Sequence, residues 1–475
     1  MPVADEFNCL NLNISVPKSP AALAASEALP VMVFIHGGAF TYSMNSSPIY
    51  DGRLLAAASS DLSSPTIVVT VNYRLGVYGF LAGHDIKAYN AAHGETGTGN
   101  YGVWDQILAL RWIQRHIASF GGDPARVTLF GQSAGAVSVS AHLLRDEALF
   151  SSAILQSGLL RLCGVKSVDE YQGIYERMLV ELGIPLDAAP ADRIEGILAV
   201  DTERLTAAMV PVFIVPVITM ALCDDGVLVE GSMPGYEMYH SFTPPDWCRR
   251  LMLGDCRNEC IIWNKSWDSL SRTPMALGQD MSTPDATLVL NRMSELLKSP
   301  EKAQTIASLY GLTGSSSPAE TFNALERLTS HGLYAQLIYF AQKAFPAMYA
   351  YHFDVPSVFE NAWGGMAHHS YDNVLIWGVL RHLLPRAQQE ISDQMVEAWV
   401  RFANGAEPWE RHDKAGRWMV FTEEGAVLKT KEEDTGRGYE IWDELHSGGM
   451  VADLSELSNE LCLRGSELRV GTSSN

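Results

Sequence analysis

Two kinds of apolar spacing alternate along the first third of the chain. Val31–Ile35 (VMVFI) and Thr66–Asn72 (TIVVTVN) are short, nearly continuous apolar runs, the pattern of strands buried on both faces of a mostly parallel sheet. Between Asn100 and Phe120 the period changes: Val103, Ile107, Leu108, Leu110, Ile113 and Ile117 recur at helical spacing, and Gly121-Gly122 ends the run. Val127–Phe130 (VTLF) reads as another strand, followed at once by Gly131 and a second helical segment through Leu144. Strand, helix, strand, helix predicts the α/β class, with a doubly wound, mostly parallel sheet flanked by helices. Roughly 165–350 predicts mainly helical insertions over one face of the sheet, until Met348–Phe353 offers a further strand. The last clear helix is Ile391–Ala403, with Met395, Trp399 and Phe402 on one stripe.

One stretch imitates a membrane span. Leu205–Cys223 is uncharged throughout, but Pro211 and Pro216 would break a spanning helix twice. It is expected to be buried strand and loop lining a core or an apolar pocket, and no membrane span is predicted.

Composition narrows the function. Hydrophobic residues make up 47% of 475 and charged residues 19%, the balance of a packed globular chain. Lys and Arg number 34 against 55 Asp and Glu, a net charge of −21 that repels phosphate-rich partners and argues against nucleic acid. Seven scattered cysteines do not make a disulfide framework. Cys248, Cys256 and Cys260 suggest a metal site only faintly, because no paired histidine run completes it, so no metal or organic cofactor is expected. Met1–Asn8 lacks the basic and apolar regions of a secretory signal. The chain as it stands is expected to be cytoplasmic, with secretion open if the N-terminus is incomplete.

The strongest chemical signal is Gly131-Gln132-Ser133-Ala134-Gly135, a GxSxG pentapeptide between a buried strand and a helix. That is the setting of a nucleophile elbow, in which glycines relieve a crowded turn and serine is lifted above the sheet edge. The helix N-terminus favours negative charge developing there. Such a serine needs donors for an oxyanion. His36-Gly37-Gly38-Ala39-Phe40 follows the VMVFI strand directly, and its small residues leave the N–H groups of Gly38 and Ala39 able to face a reacting carbonyl beside that of Ala134. His36 itself reads as a structural, hydrogen-bonded histidine.

At this point the chain resembles the type-B carboxylesterases, the carboxylesterase/lipase and cholinesterase-like α/β-hydrolases, almost from end to end. Asn8–Asn13, the HGGAF loop, Val71–Gly76, Gly79–Leu81, Gly99–Gly102 with Asp105-Gln106, Phe120–Pro124, Ile154–Gly158 and Phe402–Gly405 all match. The resemblance implies a single α/β-hydrolase domain over 1–475 with a mainly helical cap at approximately 165–350. It also implies a serine hydrolase cleaving small-molecule carboxylic esters through an acyl-enzyme. The family sets its triad glutamate five residues beyond a glycine at a strand end, which from Gly254 is Glu259, with Asp255 a second carboxylate close by. Its histidine comes late, since the chain order is Ser, Glu, His. Of His368 and His369, only His369 has an acidic residue three positions on (Asp372) and an aromatic–glycine pair at eight and nine (Trp377-Gly378). The resemblance therefore implies Ser133, Glu259 and His369 as triad, with His368 a wall residue.

Three departures stand out. Uncharged Gln132 occupies the position that is often glutamate, and Ala39 replaces a third glycine. The chain starts eight residues before Cys9, so the family's N-terminal loop, closed by a disulfide to that cysteine, is expected to be absent, and with it any marked preference for choline esters. A catalytically silent adhesion or scaffold member, and a lactone or thioester hydrolase of specialised metabolism, remain the alternatives. Oligomeric state is open.

Overall fold

The computed structural model describes residues 8–18, 27–160, 165–212, 220–229, 244–264, 284–345, 347–412 and 416–463. Nine strands form one sheet: β1 (Leu12–Ser15), β2 (Leu29–Ile35), β3 (Ile67–Val71), β4 (Gly122–Gln132), β5 (Ser152–Gln156), β6 (Arg250–Cys256), β7 (Tyr349–Phe353), β8 (Arg417–Thr422) and β9 (Gly425–Thr430). Their order across the sheet is β1-β3-β2-β4-β5-β6-β7-β8-β9. Strands β3 to β8 run parallel, and only the edges, β1 on β3 and β9 on β8, are antiparallel. The chain winds one way from β2 to β3 and the other way from β4 onward. The carboxyl ends of β2 and β4 therefore flank a topological switch point, where open α/β sheets place their sites.

Alternate residues explain why the runs are continuous. Val31, Val33 and Ile35 enter the core on one face of β2, whereas Met32 and Phe34 enter the core on the other. Both faces are covered by helices: α1 (Gly52–Asp61), α2 (Tyr101–His116), α3 (Ala134–His142), α4 (Val168–Glu181), α5 (Thr202–Val212), α6 (Pro318–Ser330), α7 (Gln336–Ala344), α8 (Tyr371–Trp377), α9 (Arg386–Ala403), α10 (Tyr439–Ser447) and α11 (Val451–Leu463) among them. In α2, Val103, Ile107, Leu110 and Ile113 are buried as expected, but Leu108 is 56% exposed, one step of about 100° off the buried stripe.

Three expectations need correction. First, β6 runs through the region expected to be a helical insertion, and among the described residues its longer helices lie on either side of that strand, at 168–212 and 286–344. Second, the start of the uncharged stretch is helical: Asp201 accepts the Arg204 N–H at 2.9 Å, and α5 continues to Val212. Among the described residues the only strand there is Leu222–Cys223, paired with Val165–Lys166, and Pro216 lies outside the described residues. An N-terminal cap and good helix formers outweighed the prolines downstream. Third, two amphipathic helices follow α9. They bury Tyr439, Trp442 and Leu445 from α10, and Val451, Leu454, Leu457 and Leu461 from α11. Among the described residues no helix is long and apolar enough to cross a membrane.

Candidate active site

Ser133 stands between the end of β4 and the start of α3 with φ 58° and ψ −126°, a left-handed turn that an L-residue adopts only under constraint. The constraint is visible. Its N–H donates to the Gln156 carbonyl at 2.9 Å, and its own carbonyl accepts the Val137 N–H at 2.9 Å. A Cβ on Gly131 would lie 2.5 Å from the Gly135 carbonyl carbon, and one on Gly135 would lie 2.0 Å from the Ile35 oxygen. Both glycines of the motif are thus required by close approach rather than by flexibility.

The loop after β2 holds three successive residues at positive φ: Gly38 (107°), Ala39 (51°) and Phe40 (57°). The Gly38 carbonyl accepts the N–H groups of Thr41 and Tyr42, which fixes the turn. The N–H groups of Gly38, Ala39 and Ala134 have no acceptor among the described residues. A Cβ on Gly37 would come within 2.9 Å of the Ser133 Cβ, so this loop runs directly against the serine. His36 is buried, with Nδ1 2.8 Å from the Gly37 carbonyl and its ring stacked on Tyr73. Burial pushes its imidazole down to about 4, which fits a neutral structural role.

Past the end of β6, Glu259 is fully buried. Its Oε1 accepts the Cys256 N–H at 2.7 Å, and its Oε2 accepts the His369 Nδ1–H at 2.5 Å. The loops bearing the two residues are joined by the Asn258 N–H on the Ala367 carbonyl. The neighbouring candidates point elsewhere. Asp255 bonds His352 Nδ1 at 2.7 Å and pairs with Arg437. His368 turns its Nδ1 to the His369 carbonyl and packs its ring between Trp363 and Tyr371, and burial pushes it down to about 4. The fold brings together Ser133, the Gly38–Ala39 loop, Glu259 and His369, and leaves Asp255 and His368 aside.

The profile of the carboxylesterase family matches residues 3–443. The chain belongs to that family. It is a carboxylic-ester hydrolase with the α/β-hydrolase fold. The para-nitrobenzyl esterase of Bacillus subtilis is 29% identical over 88% of this chain and 77% of its own. The cocaine esterase of Oryctolagus cuniculus is 47% identical over a shorter stretch, 33% of this chain and 26% of its own. Among solved structures, a Geobacillus stearothermophilus carboxylesterase superposes with a TM-score of 0.70 at 27% identity, covering 91% of this chain and 85% of its own.

Three further features of this carboxylesterase lie around the histidine, and two of them escape the sequence reading. The Tyr334 ring lies 5.2 Å from that of His369, carried on a π-helical turn, His331–Ala335, between α6 and α7. Glu326, buried behind Glu259, accepts from Ser330 Oγ at 2.8 Å and Asn258 Nδ2 at 3.2 Å, and burial pushes its carboxyl up to about 7. Gln132 Nε2 sits 2.9 Å from His369 Nε2. Gln132 had announced itself as a departure from the family. Nothing marks Tyr334, because the π turn breaks the helical spacing that would reveal it. Asp372, which helped to choose between the histidines, accepts from Gln156 Nε2 at 2.9 Å and is pushed up to about 6 by burial. Among the described residues no three His, Cys, Asp or Glu side chains are grouped to hold a metal ion.

Proposed function

We propose that this chain hydrolyses small-molecule carboxylic esters with Ser133 as nucleophile, His369 as base and Glu259 as the acid that orients it. The observation that carries this reading is the 2.5 Å contact of Glu259 with His369 Nδ1, which turns the other ring nitrogen toward the strand end bearing Ser133. With its proton held on Nδ1 by Glu259, the imidazole offers a lone pair at Nε2. Ser133 Oγ attacks the ester carbonyl while its proton passes to that nitrogen, and the negative charge forming on the carbonyl oxygen is met by the N–H groups of Gly38, Ala39 and Ala134. The imidazolium returns the proton to the departing alcohol, and a water molecule repeats the sequence on the acyl-enzyme. On this reading the chain acts as one domain, with the helices of 168–212 and 286–344 as its cap. A lactone or thioester would engage the same groups.

A fluorophosphonate probe tests this directly. It should add once, to Ser133, and Ser133→Ala should lower p-nitrophenyl ester turnover by about 10⁴ to 10⁶. An adduct on another serine, or substantial activity in the variant, would overturn the reading.

A further inference from the structure

The base of this site is occupied on both nitrogens. Glu259 accepts the Nδ1–H, so the neutral ring presents a bare lone pair at Nε2, and only a donor can face it at 2.9 Å. Hydrogen bonding thereby assigns the Gln132 amide, with its NH₂ toward His369. Both side chains are buried, at 2% and 4% exposure. On its other edge the amide lies close against Gly37, where a Cβ would fall 2.9 Å from Gln132 Oε1. Among the described residues no hydrogen bond joins Ser133 Oγ to His369. The lone pair that must take the serine proton is held by the residue next to the serine.

We propose that Gln132 is a positioning residue that caps the base in the resting enzyme and must be displaced before Ser133 can be deprotonated. The proposal rests on the triad reading above. When the Oγ proton arrives on Nε2, the ring carries N–H groups on both nitrogens, and an amide NH₂ facing it becomes repulsive. The amide must then swing away or rotate to present Oε1 as acceptor. Its donor thus favours the neutral ring, an apolar side chain would favour neither form, and a carboxylate would favour the imidazolium. The residue at 132 sets where the base loses function as pH falls.

Other groups also face the ring. Glu259 comes from the turn after β6, His368 and Asp372 from its own loop and α8, and Tyr334 from the π turn, with Glu326 behind Glu259. All of these are shared by variants at 132, so differences between such variants isolate the amide.

The test is the rate of Ser133 phosphonylation against pH in the wild type, Gln132→Met and Gln132→Glu. The midpoint of the acid limb should rise in that order, with the glutamate variant about one pH unit or more above the wild type. The plateau rate of the methionine variant should exceed the wild type by about three- to tenfold, the effect of uncovering one hydrogen-bonded lone pair. Coincident acid limbs, or a plateau that falls in the methionine variant, would show that Gln132 only supports the loop. If the methionine variant does not fold, the near-isosteric glutamate variant still decides, through its limb alone. Wild-type enzyme that gives no adduct on Ser133 would overturn the triad reading first, and the cap with it.

Discussion

Two carboxylate–histidine pairs lie at the carboxyl end of β6, four residues apart in sequence, and only one of them is placed for chemistry. Glu259 bonds His369 Nδ1, and Asp255 bonds His352 Nδ1, at 2.5 and 2.7 Å. Both pairs are buried. They differ at the far nitrogen. His352 Nε2 meets the Tyr439 hydroxyl at 2.8 Å, which itself donates to Asp434, while Arg437 closes the cluster by pairing with Asp255 and Asp354. In that network both ring nitrogens of the histidine are engaged from inside the protein. His369 Nε2 instead faces the strand end that carries the serine, across one movable amide. A short carboxylate–imidazole contact is therefore no mark of catalysis by itself; what the second nitrogen faces decides.

The largest expected difference between the pairs is in turnover. His369→Ala should lower it by about 10⁴ or more, since a triad acts as a unit, with the melting temperature the lesser effect. His352→Ala should do the reverse, lowering the melting temperature while the folded fraction keeps its turnover. Next comes stability within the Asp255 cluster. Arg437→Met removes the buried cation that Asp255 and Asp354 share, leaving them only His352 and Arg257, and should cost about 3 kcal/mol in denaturant titration, with kcat of the remaining native enzyme close to wild type. A large loss of kcat at full stability would mean that the two pairs are coupled.

Glu326 sharpens the contrast through pH. Its carboxyl is raised from 4.5 to about 7 by burial, so its contribution to stability is complete below pH 4.5 and is lost as pH rises through 7. At about 1.4 kcal/mol per unit, the loss approaches about 3 kcal/mol. Glu326→Gln should therefore gain stability relative to the wild type between pH 5 and pH 8, read as the difference in melting temperature at each pH. A constant difference would show that the carboxyl does not titrate in that window. The smallest expected effect concerns substrate charge. With an amide rather than a carboxylate at 132, turnover on butyrylcholine should exceed that on its neutral isostere, 3,3-dimethylbutyl butyrate, by less than tenfold, about 1.4 kcal/mol.

What was legible in the sequence was what local sterics impose. Gly131 and Gly135 are demanded by contacts under 3 Å with the next helix and strand, so the elbow is visible in five residues. The apolar runs of β2, β3 and β4 are visible because both faces of each are buried. The residues proposed as partners of the serine were not visible in this way. Nothing in the spacing separates Glu259 from Asp255; the choice came from family resemblance, and its physical basis lies in Arg437 and His352, which arrive from distant elements. The helix at Thr202–Val212 was misread because the two prolines outweighed the cap at Asp201, and the C-terminal helices because each buries only a narrow stripe.

The π turn at His331–Ala335 adds one residue to what would otherwise be a continuous helix from Pro318 to Ala344. Each residue advances a helix by about 100°, so that single addition sets the phase between its two ends. Before it, Glu326 and Ser330 face the turn that bears Glu259. After it, Gln342 fastens the helix to the sheet, donating to the Leu253 carbonyl and accepting from Trp418 Nε1. Removing one residue would mend the helix and yet swing one of these faces out of register by more than a quarter turn. Gly332 adds a second limit, since a Cβ there would fall 1.8 Å from Ser458 Oγ. At the level of the gene, this segment can exchange many of its letters, but a single codon gained or lost would detach the wall of the site from the sheet that supports it.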